Sequence, residues 1–300
     1  MKLDDYRTSD NVGDQRGQSF GGGGGMGGGG IGLILSLVGS RFGIGGIAVV
    51  VIGAMLLGFN PFGGGGSNLV SPGQQPAATT NASAAQQACT VDASSKFSCQ
   101  VLASTEDSWA KIYAQSGEKY QPAGFIFYGG QGQSGCGAAQ SAMGPFYCPS
   151  DNRIYLDTSF YQELQNKFGA AGDFAQAYVI AHEVGHHIQF LEGTLDKINK
   201  QQGSSSTAKG NALQVRVELQ ADCYAGVWGA MNRDRLEPGD VEEGMRAAQA
   251  IGDDTLQQAA QGRVVPESFT HGSAAQRMTW LKRGLDTGDP AQCDTFAGAV

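Results

Sequence analysis

The sequence predicts an α+β fold, mostly helical with a small sheet, that follows a single transmembrane helix. Two observations support this prediction. After about residue 88, short strand-like runs come first and several helix-like runs follow them, which is the element order of an α+β domain. A charge-free apolar run, "FGIGGIAVVVIGAMLLGFNPF", precedes the domain and is long enough to cross a hydrocarbon layer of ~30 Å.

Composition divides the 300 residues into four parts. Residues 1–41 combine a polar stretch with a glycine run, and we expect them to form a flexible cytoplasmic tail. Residues 42–62 are the predicted transmembrane helix. Residues 63–87 are rich in Gly, Ser, Pro, Ala, Gln and Thr, a composition typical of a linker. Residues 88–300 carry the aromatic and aliphatic side chains of a domain that can bury a core.

The apolar run at residues 42–62 has two alternative interpretations, a cleaved signal peptide and a buried core helix. A signal peptide is disfavoured because no small-x-small cleavage site follows closely, and a core helix is disfavoured by the glycine-rich, charge-free flanks. Arg41 abuts the run, whereas the next basic residue is Lys96, so the positive-inside rule predicts a cytoplasmic N-terminus. We therefore expect a single-pass protein of the cell inner membrane whose C-terminal domain is periplasmic or extracellular.

The cysteines and the net charge limit the possible environments and partners of the domain. All six cysteines lie after the predicted span, on the side expected to be oxidising. Their spacings contain no Cys-x-x-Cys and do not resemble a zinc ribbon. Of the fifteen possible connectivities, we predict Cys89–Cys99, Cys136–Cys148 and Cys223–Cys293. The net charge of -8 argues against nucleic acid as a partner.

Within the domain, periodicity and turn residues predict the individual elements. A short strand is expected at Gly124–Gly130, and a hairpin is expected from Phe146–Tyr147 and Ile154–Leu156 around a Pro-Ser-Asp-Asn turn. Helical spacing of apolar residues predicts six helices, at Ser104–Ser116, Ser159–Lys167, Asp173–Leu191, Asn211–Asn232, Asp240–Gly252 and Ser273–Arg283.

The predicted helix that starts at Asp173, its plausible N-cap, contains "AHEVGHHIQ", with three of the four histidines of the chain. At ~100° per residue, His182 and His186 are about 40° apart and one turn apart, so both imidazoles can reach one ion. His187 lies about 140° from His182 and cannot share that ion. Glu183 can reach a water on the metal and act as its general base. The alternative is an ordinary helix with surface histidines.

A catalytic zinc site normally has three protein ligands and one open position, so a further ligand must lie elsewhere. Glu218 and Asp222 are four residues apart in "VELQADCYAGVW", on a helix face that is otherwise apolar, where an unpaired carboxylate is costly. We expect Glu218 to be the third ligand and Asp222 to accept the outer N–H of a ligating histidine. The alternative is a salt bridge to Arg216 or to a neighbouring helix.

His271 is the fourth histidine and lies at the start of a predicted helix, in "ESFTHGSAAQR". It is a candidate third ligand, a candidate donor to a tetrahedral oxyanion, or a helix-entry residue without chemistry. Because Glu218 offers a more complete ligand set, contact with the oxyanion or the substrate ranks above direct ligation.

Several of these segments together resemble the bacterial neutral zinc metallopeptidase family: "GDFAQAYVIAHEVGHHIQ", "VELQADCYAGVW", "AIGDDTLQ", "SFTHGSAAQR" and "CDTF". The "NVGDQRG" tail, the glycine run and the single span also match, so the resemblance covers nearly the whole chain. It implies a zincin-like catalytic domain with His182 and His186 as Zn²⁺ ligands and Glu183 as catalytic residue. The Glu-x-x-Ala-Asp segment is similar to the corresponding helix of Glu-zincins, which again implies Glu218 with Asp222 behind it.

A zincin-like fold further implies an edge strand along which a peptide substrate adds as another strand. Arg153–Asp157, "RIYLD", is the candidate edge, and the alternative is a strand wholly inside the sheet. The expected function is that of a membrane-anchored zinc endopeptidase acting on a peptide or protein in the cell envelope. A non-catalytic zinc-binding scaffold and a zinc hydrolase of a non-protein amide are the alternatives.

Overall fold

A computed structural model describes residues 1–18 and 82–300, except Ala171. The predicted transmembrane helix at residues 42–62, and most of the predicted tail and linker, lie outside these ranges. Within the described ranges, helices with the length and apolarity required to span a membrane are absent.

A four-stranded sheet forms one side of the domain. It contains β1 (Val12–Asp14), β2 (Gly124–Tyr128), β5 (Phe146–Cys148) and β6 (Arg153–Asp157), in the order β1-β2-β6-β5. The first three strands in this order are parallel, and β5 pairs antiparallel with β6. The predicted hairpin is confirmed. Arg153–Asp157 is not an edge strand, because it is hydrogen-bonded on both sides; its neighbour β5 lies at one edge of the sheet and β1 lies at the other.

A second, two-stranded sheet was not predicted. It is the hairpin of β3 (Gln131–Ser134) and β4 (Gly137–Gln140), whose short Gly- and Gln-rich strands lack the alternation of apolar residues that marks a strand. The disulfide Cys136–Cys148 ties this hairpin to β5.

Nine α-helices complete the described residues: α1 (Ala82–Cys89), α2 (Ala93–Gln115), α3 (Phe160–Phe168), α4 (Asp173–Leu191), α5 (Thr194–Gly203), α6 (Thr207–Met231), α7 (Asp240–Ala250), α8 (Asp253–Gln261) and α9 (Ala274–Thr287). The six predicted helices correspond to α2, α3, α4, α6, α7 and α9. The mostly helical α+β class is confirmed.

Residues 1–18 do not form the flexible tail that was predicted for them. Leu3 and Val12 are buried in the main hydrophobic core, and β1 pairs with β2 in register from Val12↔Phe125 to Asp14↔Phe127. Few aliphatic residues in this stretch suggested disorder, but the domain buries three of its apolar side chains, Met1, Leu3 and Val12, in the main core.

Close approach between helices places the polar residues of the site. Gly185 of α4 packs against α6, and a Cβ built on it would lie 3.0 Å from Cα of Ala221. Gly284 of α9 packs against α6 in the same way, with its built Cβ at 2.7 Å from the backbone N of Val227. A larger residue at either position would separate the helices, so both glycines set the distances between side chains on α4, α6 and α9.

All three predicted disulfides are present. Cys89–Cys99 joins α1 to α2, and Cys223–Cys293 joins α6 to the C-terminal segment over 70 residues. In the described part of the chain every cysteine is paired.

Candidate metal centre

Two helices bring three predicted ligands together. His182 and His186 lie on α4, one turn apart, and Glu218 lies on α6 where the two helices cross. Their ligand atoms all lie within 4.8 Å of one another. The three side chains line a cavity of about 480 Å³, and His182 and Glu218 are buried.

The distances fit a tetrahedral zinc ion. Oε2 of Glu218 is 3.2 Å from Nε2 of His182 and 3.5 Å from Nε2 of His186. Zinc–ligand bonds of about 2.0–2.1 Å at tetrahedral angles place neighbouring ligand atoms about 3.3 Å apart. Two imidazole nitrogens and one carboxylate oxygen are also the ligand set of many catalytic zinc sites.

The second nitrogen of each histidine is held by a buried partner. Nδ1 of His182 is 2.8 Å from Oδ1 of Asp222, as predicted for Asp222. Nδ1 of His186 is 2.9 Å from Oε1 of Gln189, whose amide in turn donates to the carbonyl oxygen of Val217. With Nδ1–H donated to these oxygens, both Nε2 lone pairs face the position between the three side chains.

Three residues of this network, Gln189, Tyr178 and Arg277, were not among the predicted site residues. Gln189 is fully buried on α4, three residues after His186. A glutamine on an otherwise apolar helix face was the sequence feature that could have identified it. Arg277 lies on α9 and forms two hydrogen bonds with Asp222, each of 2.9 Å. Its sequence context gave no signal, because the crossing of α9 and α6 is a long-range feature of the fold.

The electrostatics of the cluster favour a bound cation. Burial disfavours the charged form of His182, but Asp222 and Glu218 outweigh it and raise the pKa of His182 to about 10. Burial likewise opposes ionisation of Glu218, but His186 and His182 hold its pKa well below the usual value. Carboxylates that stabilise a proton on His182 will also stabilise a metal cation there.

Glu183 is buried and lines the same cavity as the three candidate ligands. It follows His182 directly on α4 and is not a member of the three-residue cluster. Its role as a general base stays a prediction.

His271 lies in the cavity wall but outside the ligand cluster. Asp253, the first residue of α8, holds it: Oδ1 is 3.3 Å from Nδ1 of His271, and Oδ2 accepts from the backbone N–H groups of Thr270, His271 and Gly272. Burial opposes protonation, but Asp253 and Glu218 outweigh it and raise the pKa of His271. Among the described residues, Glu218 and not His271 completes the cluster.

His187 points away from the cluster, as the helical angle predicted. Its Nε2 lies 2.7 Å from the carbonyl oxygen of Gln121 and its Nδ1 lies 3.0 Å from the hydroxyl of Tyr147. Nε2–H therefore donates and Nδ1 accepts, which satisfies a neutral imidazole, and burial lowers its pKa. His187 connects α4 to β5, and Tyr147 of β5 lines the cavity.

Comparisons with known proteins show what the chain as a whole is similar to. Residues 1–296 match the model of a family described as "Putative neutral zinc metallopeptidase". The chain is 46% identical over 302 residues to the uncharacterised protein YpfJ of Escherichia coli, with both chains fully covered. It is 42% identical over 264 residues to an uncharacterised protein of Mycobacterium tuberculosis, covering 82% of this chain and 86% of that protein. No solved structure matches the chain.

Proposed function

The chain belongs to the neutral zinc metallopeptidase family, and we propose that it is a membrane-anchored, zinc-dependent endopeptidase with a zincin-like site. The observation that carries the proposal is the convergence of His182, His186 and Glu218 on one position of a cavity that Glu183 also lines. A purely structural zinc site would usually have a fourth protein ligand and would gain nothing from a carboxylate beside the open position.

His182 and His186 would hold the ion through Nε2, and Glu218 through Oε2. When bound, zinc lowers the pKa of a coordinated water toward 7 and polarises a substrate carbonyl. Glu183 takes the proton of the attacking water on its carboxylate and delivers it to the leaving amine nitrogen. His271, held by Asp253, lies in the cavity wall with a raised pKa and donates to the oxyanion as it forms.

The cavity favours a peptide as substrate. The edge strand β5 contributes Phe146 and Tyr147 to the cavity wall, and its unpaired edge is available for backbone hydrogen bonds to an extended chain. The substrate edge proposed here is therefore β5, in place of Arg153–Asp157. Apolar side chains of α4, α5 and α6, among them Val179, Ile198 and Val217, line the same cavity.

Three disulfides in the described residues favour an oxidising compartment. We place the domain in the periplasm or at the cell exterior, attached to the inner membrane by residues 42–62, where it would act on peptides or proteins of the envelope.

The Glu183→Gln variant tests the reaction. It preserves the size of the side chain but removes the base, so we expect hydrolysis to fall by about 10²–10⁴-fold while bound zinc is unchanged. Envelope peptides from cells expressing the wild type or Glu183→Gln would be compared by mass spectrometry. Glu192→Gln is the matched control, because Glu192 follows the same helix and bonds Tyr224 outside the cavity.

New peptide termini that occur with the wild type and Glu192→Gln but not with Glu183→Gln are the expected result. Equal cleavage by the Glu183 variant would contradict the assigned base. Zinc binding without any new termini would favour one of two alternatives, a zinc-binding scaffold or a hydrolase of a non-protein amide. Release of small amide-cleavage products from cell-wall material would separate the second from the first.

A further inference from the structure

Asp222 is the centre of a buried network that links the candidate ligand His182 to α9. Its Oδ1 lies 2.8 Å from Nδ1 of His182, accepts from the hydroxyl of Tyr178 at 2.6 Å, and accepts from Nη2 of Arg277 at 2.9 Å. Its Oδ2 accepts from Nε of Arg277 at 2.9 Å. Asp222 is 0% and Arg277 2% exposed, so these bonds form away from solvent.

Arg277 and Tyr178 are also bonded to each other. Nη2 of Arg277 donates to the hydroxyl of Tyr178 at 3.2 Å, and that hydroxyl donates to Asp222. The arginine, the tyrosine and the aspartate thus form a closed ring of hydrogen bonds. A planar guanidinium with two parallel bonds allows a carboxylate little rotation, so Oδ1 has one position relative to His182.

Arg277 also supplies the positive charge that pairs with Asp222. Its guanidinium forms two charge-assisted hydrogen bonds with the fully buried carboxylate of Asp222. Without Arg277, Asp222 would be a buried carboxylate with only neutral partners around a filled site.

We infer that Arg277 and Tyr178 are positioning residues for the metal: by fixing Asp222, they hold His182 with Nε2 directed at the ion. The inference rests on the proposed zinc site and deepens it. Neither side chain belongs to the ligand cluster, so their effect passes through Asp222 and His182. The expected consequence is tighter zinc binding, since partners of this kind change metal affinity by about 10–100-fold.

Tyr178→Phe is the main test, because it removes one hydroxyl and leaves the ring that packs in the core. Tyr161→Phe is its matched control: Tyr161 is also a buried tyrosine whose hydroxyl is bonded, at 2.7 Å to Ser98, away from the cavity. Zinc affinity of the full chain would be measured by competition with a chelator, and thermal unfolding would be measured on the zinc-free protein.

We expect the two variants to lose similar stability when zinc-free, while Tyr178→Phe alone weakens zinc binding, by about 10-fold or more. Arg277→Lys retains the charge but not the two parallel bonds, and we expect a weakening of at least the same size. Wild-type affinity in both Tyr178→Phe and a folded Arg277→Lys would overturn the inference and leave the zinc site standing. A wild type that does not bind zinc would overturn the proposed function and this inference together.

A second observation concerns residues 1–18, which supply the partners of a buried carboxylate. Glu106 of α2 is 6% exposed. Its Oε1 accepts from the hydroxyl of Ser9 at 2.6 Å and from the side-chain amide of Asn11 at 2.8 Å, and its Oε2 accepts from Arg7 at 3.0 Å. Without these three residues, Glu106 would be a buried charge lacking these partners, which is costly.

Two further side chains of the "NVGDQRG" motif, Gln15 and Arg16, bind residues of the domain. The guanidinium of Arg16 donates to the hydroxyl of Ser95 and to the carbonyl oxygen of Ala88, and lies 4.6 Å from the ring centre of Phe127. The side-chain amide of Gln15 both donates to and accepts from the backbone of Gln133 in β3, each at 2.9 Å. The motif is therefore a docking strand of the domain.

We propose that residues 1–18 and 82–300 lie on the same side of the membrane. β1, the bonds to Glu106 and the buried Leu3 and Val12 form only when both parts share one compartment. This replaces both the cytoplasmic N-terminus expected from Arg41 and the single crossing expected at residues 42–62, because one crossing between the two parts would separate β1 from β2. The membrane attachment proposed for residues 42–62 must therefore leave both parts on one side.

Single cysteines at two exposed positions test the topology. Asp10→Cys and Lys209→Cys would be treated, in the full-length protein in spheroplasts, with a maleimide that cannot cross the membrane. The six native cysteines are paired in disulfides and should not react. We expect both positions to be labelled to the same extent, and both to react after detergent lysis. Labelling of position 209 with protection of position 10, or the reverse, would overturn the proposal.

Discussion

Two clusters of potential metal ligands lie along α4, but the clusters differ in their surroundings. His182, His186 and Glu218 form the first, near the middle of the helix, and Asp173, Asp240 and Glu243 form the second, at its N-terminus; in both, the ligand atoms lie within 4.8 Å of one another. The first cluster lines a cavity and its histidines have fixed outer partners. The second is all carboxylate, and the side chain of Asp173 is 42% exposed.

The second cluster already has a cationic partner, the ammonium group of Met1. The ammonium group of Met1 lies 2.8 Å from both carboxylate oxygens of Asp173 and 3.0 Å from Oδ2 of Asp240. Glu243 accepts from the backbone N–H of Phe174 at the start of α4, where the helix dipole also favours negative charge. The candidate metal centre therefore differs from the second cluster in its imidazole nitrogens, its place in a cavity wall and the hydrogen-bonded partners behind its histidines.

The largest expected difference between the clusters is in zinc binding. Glu218→Gln removes the negative charge and replaces one carboxylate oxygen with an amide nitrogen, so we expect zinc affinity to fall by more than the roughly 100-fold that outer partners contribute. Glu243→Gln, the matched substitution in the other cluster, should bind zinc like the wild type. Metal analysis after dialysis against a weak chelator measures both. Full zinc content in Glu218→Gln would move the third ligand to His271.

An intermediate effect is expected from pH. Asp222 and Glu218 raise the pKa of His182 to about 10 in the metal-free protein, although burial opposes this. Zinc must therefore displace a proton at neutral pH, and the apparent affinity should rise by up to about tenfold per pH unit as the pH increases. Calorimetric titrations in buffers of different ionisation enthalpy measure the proton released. Zinc binding without proton release at pH 7 would contradict this account.

The smallest effect is expected at Asp173. Asp173→Asn weakens a partly exposed ion pair, so we expect the free energy of unfolding to fall by no more than about 1 kcal/mol and zinc affinity to stay unchanged. Denaturant unfolding and the chelator competition measure the two quantities. A loss of zinc affinity in this variant would show that the two clusters are coupled. The carboxylate cluster could then no longer be treated as independent of the candidate zinc site.

The sequence predicted those parts of the site that depend on local periodicity. α4 was predicted from Asp173 to Leu191, as observed, although Gly172 and not Asp173 is its N-cap. The spacing of His182 and His186 then followed from helix geometry. Glu218 and Asp222 were found because two acids interrupt an apolar face, and their separate roles depended on the one-turn distance between them.

The remaining features depend on contacts between distant segments. Arg277 was missed because only the crossing of α9 and α6, permitted by Gly284, places it against Asp222. Residues 1–18 were predicted to be flexible because their polar composition suits a solvated tail, whereas Ser9 and Asn11 are bonded to Glu106, some 95 residues later. The edge strand was misassigned to β6 because the order of strands in a sheet does not follow from their individual patterns.

We propose that two histidines and one glutamate hold a zinc ion and leave a position open for water. X-ray absorption at the zinc edge, measured on the zinc-loaded wild type, identifies and counts these ligands. We expect two imidazole nitrogens at about 2.0–2.1 Å and two oxygens at similar distance, with the imidazole number unchanged in His271→Ala. Three imidazoles in the wild type, reduced to two in His271→Ala, would contradict the assignment of Glu218.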